Sequence, residues 1–385
     1  MDVIRELSIT DLKPQRVADV LEVDLNLARK LVAVVDDPDR FAGVRELPGR
    51  GGMRIILDSA RKKGVSDSAI GRVESSLEMH QQLTRVHAGD RAVLDSMLGH
   101  LAEHGSTRAD LAVRRNAFRA NASTFGVQAR LQILNTILLP GNETGGFPLL
   151  SAVRGFADFQ RLSRGRTWIV GRSRIGSNDD LLKIGVERYP MDPDVAPDDV
   201  PLLRSHCSPN LPALKRRTIP DGHVVDELVD GEIGKRGVCT FFTGEFMRTM
   251  GSVRRPHGYV ARFSPRCYTP CELLVFDVLV HPDLPMVEPP QYYITSDIDG
   301  SNTSILRSTE MMRLPVCEAP EQRIGGRDGL LLAELPTYHE MILDVASRMD
   351  VDISDFVLWR LKLRYPPIPS EAIMEWGFST KSPST

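Results

Sequence analysis

The chain has no run of about 18 apolar residues, so the sequence offers no membrane-spanning helix. Its opening residues, MDVIRELSITDLKP, contain no apolar stretch of the secretory type, and a cytoplasmic protein is expected. Cysteine is scarce: Cys207, Cys239, Cys267, Cys271 and Cys317 are five in 385 residues, an odd set without a close pair of the C-x-x-C kind. That argues against a disulfide framework and favours reduced thiols. There is no G-x-S-x-G elbow, no Lys-Ser/Thr closing a glycine-rich loop, no internal repeat and no low-complexity tract. A net charge of −3 disfavours a whole-chain polyanion binder but leaves room for a local basic face.

What is present is an ordinary globular composition, 42% hydrophobic and 26% charged, in a chain too long for one core. The expected fold class is multidomain, α and α+β. Residues 1–104 read as all-helical, with cap residues Ser8–Asp11, Pro14 near a helix start, and Asp36-Asp37-Pro38-Asp39 as a stop. A loop, Glu46–Gly52, precedes a helix Met53–Lys63 in which Ile55, Ile56, Leu57 and Ala60 can make one apolar side, and which Gly64 ends. Ser66 or Asp67 caps the next helix, to about residue 86, and Asp90 starts Arg91–Leu101. Residues 105–146 read as basic connecting helices, with helical spacing from Thr107 to Leu139, and a linker, Pro140–Gly146. Residues 147–378 read as an α+β domain with a mostly antiparallel sheet. In it, helices are expected at Ser151–Leu162, Tyr338–Met349 and around Asp352–Leu363. Strands are expected at Thr167–Gly171, His223–Leu228, Val238–Phe242, Tyr259–Phe263, Leu273–Val280 and Gln291–Thr295. Residues 189–221 read as irregular, and 379–385 as a disordered tail.

The most specific stretch is Val17–Leu31, VADVLEVDLNLARKL. Ala18, Val20 and Leu21 are apolar at helical spacing, Val23 stands in a turn, and Asp24 is a good N-cap. Leu27, Ala28 and Leu31 then form the stripe of a second helix. At these positions the chain resembles the helix-turn-helix superfamily of transcriptional regulators, whose pattern is V-A-x-x-L-G-V-S-x-x-x-V-S-R. Val17, Ala18, Leu21, Val23, Leu27 and Arg29 match, Asp24 stands where a capping serine is usual, and Glu22 replaces the turn glycine. The resemblance implies that the second helix lies in the major groove of DNA, exposing Leu25, Asn26, Arg29 and Lys30. Asn26 suits an adenine edge, Arg29 a guanine edge or a phosphate, and Lys30 the backbone; Arg16 adds charge. Such regulators usually dimerise, with the second domain binding a ligand or partner or making the oligomer.

Pro48-Gly49-Arg50-Gly51-Gly52, before a helix, reads either as a flexible turn or as an anion site supported by Arg50 and Arg54. The basic stretch Arg108–Arg130 reads as a solvated face or as a grip on phosphate. Tyr292–Ser301 ends in D-x-D-G-S, like the first motif of the haloacid dehalogenase phosphatases, but too little chain follows for that fold. A polar hairpin turn is the expected alternative. Cys267 and Cys271, with His257 and His281, lack zinc-site spacing. The sequence therefore assigns no catalytic residue, metal ligand or cofactor, and its expected partners are duplex DNA, a second copy and an unidentified effector. The alternative is an enzyme or small-molecule binder with its site in the C-terminal domain, where His206, His223, His257 and Asp297 are the polar groups to inspect.

Overall fold

A computed structural model describes residues 2–101, 107–140, 149–165, 167–174, 185–219, 223–250, 260–284, 289–297, 313–316 and 318–377. The chain divides into two compact units, Met1–Asp110 and Leu111–Thr385.

The first unit is helical. Its helices are α1 Asp2–Glu6, α2 Pro14–Leu21, α3 Leu25–Asp36, α4 Arg40–Arg45, α5 Arg50–Lys62, α6 Asp67–Leu83 and α7 Arg91–Leu101. Pro14 opens α2, where a missing N–H costs nothing, and Val17, Ala18 and Leu21 face the core. Met53, Ile56, Leu57 and Ala60 of α5 recur at helical spacing and are buried against them. Ser66 caps α6 by accepting from the Ala69 N–H at 3.2 Å, and its own N–H donates to Glu6 at 2.7 Å, which ties α1 to the start of α6. The loop expected over Glu46–Gly52 ends early, because Arg50, Gly51 and Gly52 form the first turn of α5. A Cβ on Gly52 would lie 2.7 Å from Leu27 Cδ2 of α3, so glycine here permits the close approach of α3 to α5. No described helix is long and apolar enough to cross a membrane.

Helix α8, Thr107–Phe125, spans the division between the units. The second unit is α+β. Its strands are β1 Val127–Leu139, β2 Leu149–Arg161, β3 Trp168–Arg174, β4 Gly185–Pro190, β5 Leu214–Thr218, β6 His223–Leu228, β7 Cys239–Met250, β8 Val260–Phe263, β9 Arg266–Cys267, β10 Cys271–Val280, β11 Gln291–Ser296, β12 Glu321–Ile324, β13 Val357–Arg364 and β14 Ser370–Gly377. Two helices, α9 Gly326–Leu330 and α10 Tyr338–Arg348, lie between β12 and β13. The largest sheet has seven strands in the order β12-β13-β10-β1-β2-β7-β4, antiparallel throughout except for the parallel pair β1 and β10. Smaller sheets are β11-β14-β8, with β9 beside β14, and β3-β6-β5. Alternate residues of β10 divide two cores. Val275 and Leu279 pack with Tyr338, Ile342 and Val345 of α10, whereas Leu274, Phe276 and Val278 pack with Ile294, Met374 and Trp376.

Three helices expected from the sequence are strands. Residues 127–139, 149–161 and 357–364 form β1, β2 and β13, and the helical pattern from Thr107 ends at Phe125. In β1 the cause is burial on both faces, which erases the period of two and leaves apolar spacings that pass for a helix. Segment 189–221 is not wholly irregular: it contains a short 3-10 turn, Arg204–His206, and β5. Its extended part is pinned to β7 by Leu203 N–H to Phe242 O at 2.9 Å and Gly244 N–H to Pro201 O at 2.8 Å. Strands β12 and β14 were not expected. The linker glycines and the tail 379–385 lie outside the described residues.

Candidate anion-binding cleft in the helical unit

The start of α5, the end of α6 and the turn before α7 enclose a cleft of about 490 Å³. Helix α6 gives way at Thr84–Ala88 to one π turn, closed by the Gly89 N–H donating to Thr84 O at 2.9 Å. Gly89 has φ 82°, a left-handed value that glycine adopts freely and that turns the chain into α7. The Thr84 hydroxyl donates to His80 O at 2.7 Å, which stabilises the helix end behind the turn.

Leu47, Met53, Leu57 and Leu77 supply the apolar wall, and Arg50, Arg54, Arg61, Arg85 and Arg91 the cationic one, against a single acid, Glu74. These arginines are not equivalent. Arg61 pairs with Glu74 and Asp58. Arg91 donates to Asp95 at 2.7 Å and to Arg45 O at 2.7 Å, so it braces the chain before α5. Arg50 donates to the neutral Gln81 at 2.6 Å, while Arg54 and Arg85 are exposed and have no hydrogen-bond or ion-pair partner among the described residues. Three positive charges thus face the cleft without a counter-charge. Gly49, the residue before α5, has no side chain to cap the helix, so the first amides of α5 are also uncapped.

His80 adds a neutral group to this basic wall. Burial, and then the nearby Arg91 charge, hold its pKa below the ordinary 6.5, with Asp95 acting in the opposite sense. Its Nε2 is buried and has no hydrogen-bond partner among the described residues.

The six residues assigned from the sequence separate into two groups. Arg50 and Arg54 line the cleft, whereas Arg16, Asn26, Arg29 and Lys30 are exposed on α2 and α3 and do not line it. Between the two helices Glu22 takes φ 50° and ψ 44°, the left-handed region that favours glycine, and pairs with Lys63. Asp24 then caps α3 by accepting from the Asn26 N–H at 2.7 Å. Ala28 is buried, Leu25 and Leu27 are half-buried against the core, and Asn26, Arg29 and Lys30 point away from it. Leu25 therefore does not belong to the exposed set. Arg61, Arg85, Arg91 and His80 were missed, because only the packing of α5, α6 and α7 brings them to one place.

Of the polar groups singled out in the second unit, His206 and Asp297 do not converge, and the side chain of His223 lies outside the described residues. His206 Nε2 lies 3.0 Å from Asp344 of α10, on the α10 face of the large sheet. Asp297, on the β11 face, accepts from the Tyr268 hydroxyl and lies 3.8 Å from Arg266. His257 and the rest of the D-x-D-G-S stretch are outside the described residues. Cys267 and Cys271 are buried thiols pushed upward by burial, Cys267 to about 12. In the basic stretch, Arg130 lies on β1 and donates to Asp158 and to Glu334 O at 2.6 Å, and Arg114 donates to Arg364 O at 2.8 Å. Both are structural ties, and Arg115 and Arg119 remain exposed.

No protein-family model matches the chain, and comparison with curated proteins and with solved structures finds no match either.

Proposed function

We propose that the chain is a cytoplasmic DNA-binding transcriptional regulator in which α2 and α3 form a helix-turn-helix. In this reading α3 enters the major groove, Asn26 and Arg29 meet base edges or phosphate, and Lys30 and Arg16 meet the backbone. The observation that carries it is the turn. Glu22 adopts the left-handed conformation of the usual turn glycine, and Asp24 caps the helix whose Asn26, Arg29 and Lys30 are exposed and unpaired among the described residues. Arg50 and Arg54 at the start of α5 would meet a flanking phosphate, where a helix N-terminus and two guanidiniums favour an anion.

A second copy would bring a second α3 to a second half-site. An apolar stripe supports a contact surface for it: Met79, Leu83 and Val86 recur at helical spacing with Val93 and Met97 nearby, all exposed. The second unit would hold the ligand- or partner-binding role.

The test is fluorescence anisotropy of the full chain with a mixed-sequence labelled duplex over a salt series. Affinity should fall linearly on a logarithmic salt scale, and Arg29→Ala with Lys30→Ala should weaken it and lower the slope by about one for each phosphate no longer neutralised. Absence of binding at low salt, or a double variant indistinguishable from the parent, would refute the reading.

A further inference from the structure

We infer that the cleft between α5, α6 and α7 is a binding site for a small organic phosphate, an apolar body bearing one dianionic head group. Four features converge on that chemistry. The space, about 490 Å³, is of the size that small-molecule sites occupy, and one wall is aliphatic: Met53, Leu57 and Leu77. The lining also holds Arg50, Arg54 and Arg85, none balanced by a carboxylate among the described residues, which matches a head group of more than one negative charge better than a single carboxylate. The uncapped first turn of α5 presents amides and the positive end of a 13-residue helix beside the same arginines. Finally, His80 lines the cleft with a buried Nε2 that has no partner among the described residues, an arrangement that a hydrogen bond to a bound group would complete.

Glu74 does not compete for this role, because Arg61 holds it within the wall. Arg91 does not join the ligand either. Its guanidinium is spent on Asp95 and on the backbone carbonyls of Val44, Arg45 and Leu47, so it shapes the cleft's floor rather than its chemistry. The head group therefore sits at Arg54 and Arg85, the body against Leu57 and Leu77. The site shares Arg50 and Arg54 with the flanking-phosphate contact proposed above, and a titration carried out without DNA reads it independently of duplex binding.

The probe is naphthyl phosphate, titrated into the full chain by its own fluorescence and by calorimetry, with inorganic phosphate and naphthol as the two half-ligands. Saturable binding of naphthyl phosphate is expected, with each half-ligand about tenfold or more weaker, because each lacks one wall. The double change Arg54→Ala, Arg85→Ala should weaken the probe by about tenfold or more while the far-ultraviolet circular dichroism stays that of the parent, since both side chains are exposed and unpaired. In the parent, the His80 ring proton resonances should shift on titration. The inference is overturned if the parent shows no saturable binding or no His80 shift. It is also overturned if the double variant binds as the parent does, or if inorganic phosphate binds as tightly as the probe.

Discussion

The two units differ in the charges they bury. In the second unit, charge is buried and answered. Asn135, Asp277 and Arg360 stand in one row across β1, β10 and β13, each the direct neighbour of the next. Arg360 donates to Asp277 at 2.7 and 2.9 Å and to Leu331 O at 2.8 Å, and the Tyr338 hydroxyl donates to Asp277 at 2.7 Å. At the other end of the sheet Glu245 is shared by Arg154, at 2.6 Å, and Arg216, at 3.3 Å, and Arg216 also holds Asp226. In the helical unit, by contrast, Arg29, Lys30, Arg54 and Arg85 are exposed and have no ionic partner among the described residues. Paired buried charges select one register of strands, because any slip leaves an ion unanswered in the core. Unpaired exposed charges do nothing for the fold and are free for an external anion.

The comparison breaks most visibly at Asp277. Asp277→Ala strands a buried guanidinium, and denaturant unfolding should show a loss of about 3–5 kcal/mol. No exposed arginine of the helical unit should approach that cost.

Alkali should separate the units next. Burial pushes Cys239 up to about 11 and Cys267 to about 12, so the unfolded chain loses these protons first as pH rises from 9.0. The stability these neutral thiols contribute is complete below that pH and is lost as pH climbs toward their folded values. Melting curves followed by the near-ultraviolet signal of Trp359 and Trp376 should move down across that window. At neutral pH an aromatic disulfide reagent should reach the buried thiols Cys239, Cys267 and Cys271 only on denaturation.

In the helical unit the effects are smaller and local. Asp24→Ala removes the cap of α3 and should cost about 1 kcal/mol, whereas Glu22→Gly relieves a left-handed residue and should stabilise by about 0.5–1 kcal/mol. Opposite signs at these two turn positions, either side of Val23, would confirm the turn's backbone by urea titration alone. The smallest effect is at acid pH. His80 is harder to protonate folded than unfolded, so stability falls as pH drops below 6.5, and His80→Gln should remove that slope. Because a bound anion favours the protonated ring, naphthyl phosphate should flatten the slope in the parent as well.

Legibility in the sequence followed the range of the interaction. The caps at Asp24 and Ser66 and proline at the start of α2 were readable because each involves neighbours within a turn or two, whereas the apolar side expected of α5 was readable only at Ile56, Leu57 and Ala60, since Ile55 is exposed and Met53 is buried in its stead. Strand β6 was also readable, since it is bounded by turn residues. Strand β1 was not, because both its faces are largely buried and its apolar residues carry no clear period. Of the cleft, only Arg50 and Arg54 were legible, through the glycines that neighbour them. Arg85 and Arg91 look like ordinary surface charges until α6, its π turn and α7 fold back on α5.

By itself, then, the sequence determined the caps of α3 and α6, the proline start of α2 and the exposure of Asn26, Arg29 and Lys30, because capping and amphipathic spacing act between near neighbours. The tertiary structure alone decided the parallel pairing of β1 with β10, the charged row beneath Tyr338 and the convergence of arginines on one cleft. Those depend on contacts between residues tens of positions apart or more, for which no local pattern carries the information.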